Sequence, residues 1–219
     1  MDEQTDITAK GKQMAIVSKT GVKDVEIDTP LPKNKIVFKL IHELELEADT
    51  KVLEIGAGDG EHLPFLFQKI TESQYYSASI SEIQLQQALS SNVLTNKEKW
   101  RQFIRIEESG KLGFEDHFFS YCFSVNSLYF WKNPVEYFKE IYRVLTPGGR
   151  FDLAFIEKKF GGDLPWTQMD FTFYETDQVQ DFFYKAGFTT FGLKKITEEI
   201  TDKQGKIVTR PVLILSGCK

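Results

Sequence analysis

The sequence predicts an α/β fold built on a mostly parallel sheet. Three features carry that expectation. Strand-like and helix-like segments alternate along the chain, and alternating elements imply parallel strands covered by helices on both faces. An apolar strand, Lys51–Ile55, runs directly into a turn with glycines at Gly56, Gly58 and Gly60. Further on, an amphipathic helix is cut off by Pro147 and turned by Gly148-Gly149 into another apolar strand. At 219 residues and 41% hydrophobic, the chain is long enough for one such domain with a full core.

The elements follow in order. Residues 1–34 carry Gly11, Gly21, Pro30 and Pro32 and read as an irregular lead-in or lid segment, with the domain proper over 35–219. Ile36 to Leu46 has the spacing of a helix that precedes the sheet. Strands are expected at Lys51–Ile55, Tyr75–Ser79, Phe103–Glu107, Tyr121–Asn126 and Phe151–Ile156. Glu61 to Leu66 reads as the first turns of a helix, where Pro64 is tolerated because an early helical N–H has no partner to lose. Ser81 and Gln84 make a capping box for a helix after the second strand. Val135, Phe138, Ile141, Tyr142 and Leu145 recur at helical spacing, so Pro134 to Leu145 is an amphipathic helix. Thr176 to Lys185 reads as a helix that leaves at Gly187, and strands near Thr189–Leu193 and Ile207–Leu215 form a hairpin across Asp202 to Gly205.

Strand, glycine turn and helix together make a ligand cradle. Glycines allow close backbone approach, and the start of a helix offers unpaired N–H groups. The spacing narrows the ligand. A dinucleotide fingerprint needs G-x-G-x-x-G, but here the third glycine comes one residue early and Glu61 stands in its slot. No Gly-Lys-Ser/Thr follows, so the phosphate-loop pattern fails as well. On this stretch alone, a buried strand with a glycine turn and no ligand stays open.

What remains, Val52-Leu53-Glu54-Ile55-Gly56-Ala57-Gly58-Asp59-Gly60, resembles the first motif of class I S-adenosylmethionine-dependent methyltransferases. A second block, Glu140-Ile141-Tyr142-Arg143-Val144-Leu145-Thr146-Pro147-Gly148-Gly149-Arg150-Phe151, resembles the E-x-x-R-V-L-K-P-G-G segment of the same family. Between them, Leu112 to Asp116 and Ser124 to Trp131 resemble its L-P-F-x-D loop and fourth strand. The likeness spans residues 35 to 190 in the family's order and is strongest with its small-molecule, UbiE-like branch.

The resemblance implies a Rossmann-like methyltransferase fold, with seven strands in the order 3-2-1-4-5-7-6 and the seventh antiparallel. It implies S-adenosyl-L-methionine as cofactor, S-adenosyl-L-homocysteine as product, and methyl transfer to a small-molecule acceptor by in-line displacement. Gly56, Ala57 and Gly58 would lie under the methionine portion, and Glu54 would face its ammonium group directly or through water. Ser79 with its neighbour Ile80 falls at the ribose, Glu108 and Ser109 at the adenine, and Asn126 near the sulfonium. Each has a plainer alternative: Glu108 as a surface carboxylate, Asn126 as a strand-end cap.

Two positions depart from the family. Its second strand usually ends in an acidic residue for both ribose hydroxyls, and here Ser79 holds that slot, with Glu82 one turn on. A neutral hydrogen bond contributes about 0.5–1.5 kcal/mol against about 1.5–3 for one to a charged group. Ser120 stands where Asp is common. These departures motivate a second reading, a non-catalytic binding or interaction protein on the same fold.

No catalytic side chain is singled out, because the methyl donor is already activated and the protein chiefly positions and excludes water. His117, Tyr129 and Tyr174 fall on loops that could reach the cleft, with a structural role the plainer reading of each. Tyr129, Phe130 and Trp131 follow the fourth strand, and Trp166, Phe171, Phe173 and Tyr174 the fifth, which suits a hydrophobic or aromatic acceptor or, more plainly, packing of the lid. A net charge of −5 argues against a nucleic-acid partner. His42, His62 and His117 are too scattered for a metal site, and Cys122 and Cys218 have no metal-ligand spacing. No apolar run spans a bilayer, and a reducing cytoplasm is the expected setting.

Overall fold

The computed structural model describes residues 35–44, 46–58, 60–70, 73–79, 81, 101–107, 109–161, 172–201 and 206–219. The lead-in over 1–34 and the expected capping-box helix after Ser81 lie outside them. The described elements are α1 (Lys35–His42), β1 (Lys51–Ile55), α2 (Leu63–Lys69), β2 (Gln74–Ser79), β3 (Arg101–Arg105) and β4 (Phe119–Val125). After them come α3 (Pro134–Val144), β5 (Leu145–Phe155), the single turn α4 (Lys158–Gly161), α5 (Thr176–Ala186), β6 (Thr190–Thr201) and β7 (Ile207–Cys218).

One sheet holds all seven strands in the order β3-β2-β1-β4-β5-β7-β6. The β1–β2, β1–β4, β2–β3 and β4–β5 pairs are parallel, while β7 runs antiparallel to both β5 and β6. Parallel strands buried on both faces read as continuous apolar runs. In β1, Val52 to Ile55 are all buried, and so are Tyr75 to Ser79 of β2.

The two faces are covered separately. On one, Phe67 of α2 meets the Tyr75 ring at 5.2 Å, and Phe38 of α1 meets Phe65 at 5.5 Å. On the other, Phe138 of α3 packs between Phe151 of β5 and Phe183 of α5, at 5.7 and 4.8 Å. Phe138, Phe151 and Phe183 are fully buried. Each such side chain contributes about 1.5–3 kcal/mol by leaving water.

Differences from the expected boundaries have local causes. Helix α1 ends at His42 rather than Leu46 because its last turn tightens, with Glu43 N–H on Leu40 O and Leu44 N–H on Ile41 O. Strand β3 sits two residues earlier than expected. Its partner β2 ends at Ser79, which pairs with Arg105, and only Ile106 N–H reaches past it to Ser79 O. Pro147-Gly148-Gly149 falls inside β5 rather than before it. The strand begins by pairing Leu145 with Phe119, the register shifts, and Gly148 N–H and Gly149 O then bond Lys219. Strand β6 runs on to Thr201, far past Leu193, and pairs with β7 along its whole length. Among the described residues, no helix is long and apolar enough to cross a membrane.

Candidate functional site

The strand order reverses beside β1, whose neighbours are β2 on one side and β4 on the other. Ligands of such sheets bind outside the carboxyl ends of the strands at that point. There the glycine turn leaves β1. Gly56 N–H extends the ladder onto Ala78 O at 2.8 Å, and Gly56, Gly58 and Gly60 all take left-handed φ, at 82°, 62° and 74°. Only glycine enters that region without strain. The first two differ in what they require. A Cβ on Gly56 would stand 2.7 Å from Ser127 Cβ, whereas a Cβ on Gly58 would meet no described residue within 4 Å. Gly56 serves packing, and Gly58 borders open space.

Ser127 is itself held. Its Oγ lies 2.5 Å from Ser124 Oγ, which donates to Ile55 O at 2.8 Å, so β4 and the end of β1 are pinned through two hydroxyls.

Glu54 is buried in β1, at 1% exposure. Tyr75 donates a short hydrogen bond to its Oε2, and His62 Nε2 lies 2.9 Å from the same oxygen. No bond from a described residue falls on Oε1. Burial, followed by the Glu54 charge, pushes the Tyr75 hydroxyl well above its ordinary value, so it stays a donor. His62, just before α2, and Tyr75, in the neighbouring strand, are functional candidates that sequence reasoning missed. Their only signal was polar groups on an otherwise apolar strand and helix start.

Ser79 is buried at the end of β2, where its Oγ accepts the Ser81 N–H at 3.2 Å in a tight turn. Ser109 is exposed and does the same for Lys111 N–H at 3.3 Å. Ile80 and Glu108 lie outside the described residues. Asn126 leaves β4 with φ 55°, its N–H on Ala154 O at 2.9 Å. Its Oδ1 accepts from the Tyr129 hydroxyl at 3.2 Å, and that hydroxyl accepts Ile156 N–H at 2.5 Å. Tyr129 thus ties the carboxyl ends of β4 and β5 together. Burial raises its ionisation far out of reach of a general base.

His117 does not reach the cleft. It precedes β4, so it sits at the amino edge of the sheet, with its N–H on Arg143 O and Nδ1 3.1 Å from Leu145 O. Ser120 belongs to that same remote edge, so its departure from the family touches nothing in the cradle. The aromatics divide. Trp131 is buried, stacked on Tyr137 at 4.8 Å, and Tyr174 packs on Phe182 at 5.2 Å. Phe173 lies against Tyr129 at 4.7 Å, while Phe130 is 53% exposed. Trp166 and Phe171 lie outside the described residues.

The residues present suit an amino-acid nucleoside. Gly58 leaves a void, Glu54 keeps an unused carboxylate oxygen, and the buried Trp131 Nε1 has no partner among the described residues. No cluster of metal-ligating side chains occurs among the described residues.

Comparison with known proteins agrees. Residues 53–153, from β1 through β5, match the family model described as a methyltransferase domain. No curated protein matches the chain significantly. Among solved structures, the YcgJ protein of Bacillus subtilis superposes with TM-score 0.70 at 16% identity, over 84% of this chain and 97% of that one. A putative methyltransferase of Bacillus halodurans gives 0.65 at 14%, over 85% and 99%. Phosphoethanolamine N-methyltransferase 2 of Haemonchus contortus, solved with S-adenosylhomocysteine, gives 0.63 at 16%, over 84% and 52%. Residues 53–153 therefore carry a methyltransferase domain, set on the Rossmann-like methyltransferase fold that these solved structures share.

Proposed function

We propose that the protein methylates a small-molecule acceptor in the cytoplasm, as a relative of the UbiE-like branch. The observation that carries this reading is the open space over Gly58, beside a buried carboxylate with one oxygen unused. Bound S-adenosylmethionine supplies a sulfonium methyl open to in-line displacement by the acceptor atom. The chain's work is to hold and to exclude water.

In this reading Glu54 Oε1 takes the ammonium group while Tyr75 and His62 fix the carboxylate through Oε2. Gly56, Ala57 and Gly58 carry the methionine portion. Ser79 and Ile80 face the ribose, and Glu108 and Ser109 the adenine. Asn126, oriented by Tyr129, lines the cleft near the sulfonium. The Tyr129–Phe173 ring pair supports an acceptor with apolar surface. The net charge of −5 speaks against a nucleic-acid acceptor, and the buried free thiol of Cys122 suits a reducing compartment.

Calorimetric titration with S-adenosylhomocysteine tests the assignment. Binding is expected in the wild-type chain and lost in Gly58→Arg, whose side chain fills the void while the fold is kept. Retained affinity in that variant would place the cofactor elsewhere, and no binding to the wild-type chain would sink the enzyme reading.

A further inference from the structure

Strand β7 runs antiparallel to β5 and overshoots it. Phe155, the last residue of β5, pairs with Leu213, so Arg210 projects three residues beyond the carboxyl edge where the cradle lies. Opposite it in β6 stands Glu198, buried at 5% exposure, and Arg210 Nε makes a short hydrogen bond to Glu198 Oε1. Helix α1 lies along this part of β6, with Lys39 Nζ on Thr197 O at 2.9 Å and Glu43 on Lys194 at 2.5 Å.

A buried ion pair is a poor stabiliser, because desolvating both charges offsets their attraction. What the pair leaves unused is its distinctive feature. Glu198 takes only the inner nitrogen of the guanidinium, and neither terminal amino group bonds a described residue. The Arg210 side chain keeps 17% of its surface exposed. The outcome is a planar guanidinium anchored through Nε, with two terminal amino groups bonded to no described residue, the chemistry that pairs with a carboxylate or phosphate through two parallel N–H bonds.

The ion pair also lies within electrostatic reach of the carboxyl edge. The Tyr129 hydroxyl, raised first by burial and lowered by its Ile156 N–H contact, is next drawn down by the Arg210 charge and pushed up by Glu198. Both charges therefore reach the tyrosine that orients Asn126.

We propose that Arg210, held by Glu198, binds an anionic group on the methyl acceptor, so that the acceptor is a small carboxylate or phosphate compound. This rests on the proposed methyltransferase reading for the word acceptor, but not for the anion site itself. Titrations of the full chain at fixed salt, with and without saturating S-adenosylhomocysteine, keep the two apart. If the nucleoside fails to bind, the cofactor reading falls while the anion result stands.

The probes are phenylacetate, phenyl phosphate and the neutral phenylacetamide. At least one anion is expected to bind about tenfold or more tightly than the amide, and which one does so identifies the group. Arg210→Lys keeps the charge but loses the fork, and should weaken that anion about tenfold, the difference one charge-assisted bond makes. The double variant Glu198→Gln, Arg210→Gln, which leaves no charge unpaired, should erase the preference with far-ultraviolet dichroism and nucleoside affinity unchanged. Equal binding of all three probes to the wild-type chain, or a preference that survives in the double variant, would overturn the proposal.

Discussion

Gly56 and Gly58 are two residues apart, share left-handed backbone, and should fail in opposite ways when given a methyl group. At Gly56 the new Cβ would stand 2.7 Å from Ser127 Cβ. Ser127 cannot withdraw, since its hydroxyl is tied through Ser124 to Ile55 O. The left-handed conformation costs a non-glycine residue about 1–2 kcal/mol, and overpacking adds about 1–3. Gly56→Ala should therefore lose about 2–5 kcal/mol of stability. Gly58→Ala meets no described residue within 4 Å and should lose only the backbone component, about 1–2 kcal/mol. Its methyl group projects into the void, so it is the variant whose S-adenosylhomocysteine affinity should drop, by tenfold or more. Urea unfolding followed by circular dichroism gives the first quantity and calorimetry the second. Equal stability losses would refute the packing argument, and wild-type affinity in Gly58→Ala would refute the placement of the cradle.

Two further outcomes follow from groups away from the cradle. Burial would raise the Glu140 carboxyl, but hydrogen bonds from Arg143 and Leu112 N–H outweigh it and leave the group below its ordinary value. A depressed carboxyl contributes stability that is present above its unfolded pKa of about 4.3 and is lost as pH falls through the lower folded value. Glu140→Gln should melt about 2–4 °C lower at neutral pH, a deficit that closes below about pH 4; a deficit constant down to pH 3 would contradict the assignment. Burial likewise pushes the Cys122 thiol well up, so a thiol reagent should modify the half-buried Cys218 in the native protein and Cys122 only after unfolding. Two fast equivalents would show the β4 core to be open.

The glycine turn and the Pro-Gly-Gly block were legible because their function is carried by backbone, and backbone demands write themselves into glycine and proline. Strand β1 and helix α3 were read nearly residue for residue, since burial on both faces or on one stripe leaves a periodic signal. Strand β6 was not. Lys194, Lys195 and Glu199 break its alternation because it is the sheet's edge, where charges guard against further pairing. The Glu54–Tyr75–His62 cluster was hidden for a different reason. Its members come from β1, β2 and the start of α2, and only the parallel register that sets Leu53 beside Tyr76 and Val52 beside Tyr75 brings them together. His117 shows the converse: a residue's loop can be guessed from sequence, but the edge of the sheet it occupies follows from strand direction.

The two edges of the sheet use polar groups differently, and that contrast locates function better than any one residue. At the amino edge, Arg143 donates to Glu140, Asp116, Leu112 O and Phe114 O, while Lys219 bonds Tyr142 O. Those groups satisfy one another, which is how charges near a core are kept without a ligand. At the carboxyl edge the accounts stay open. Among the described residues Glu54 uses one oxygen, Arg210 one nitrogen, Trp131 no nitrogen at all, and Gly58 borders open space. Unused hydrogen-bonding capacity close to a buried core is costly, and three instances on one side of one sheet imply partners of complementary charge. A carboxylate oxygen near the turn calls for a cation, and a guanidinium fork beyond β5 calls for an anion. In the proposed reading the site is asymmetric before anything binds: Glu54 draws the ammonium end of the donor, and Arg210 draws an acidic acceptor.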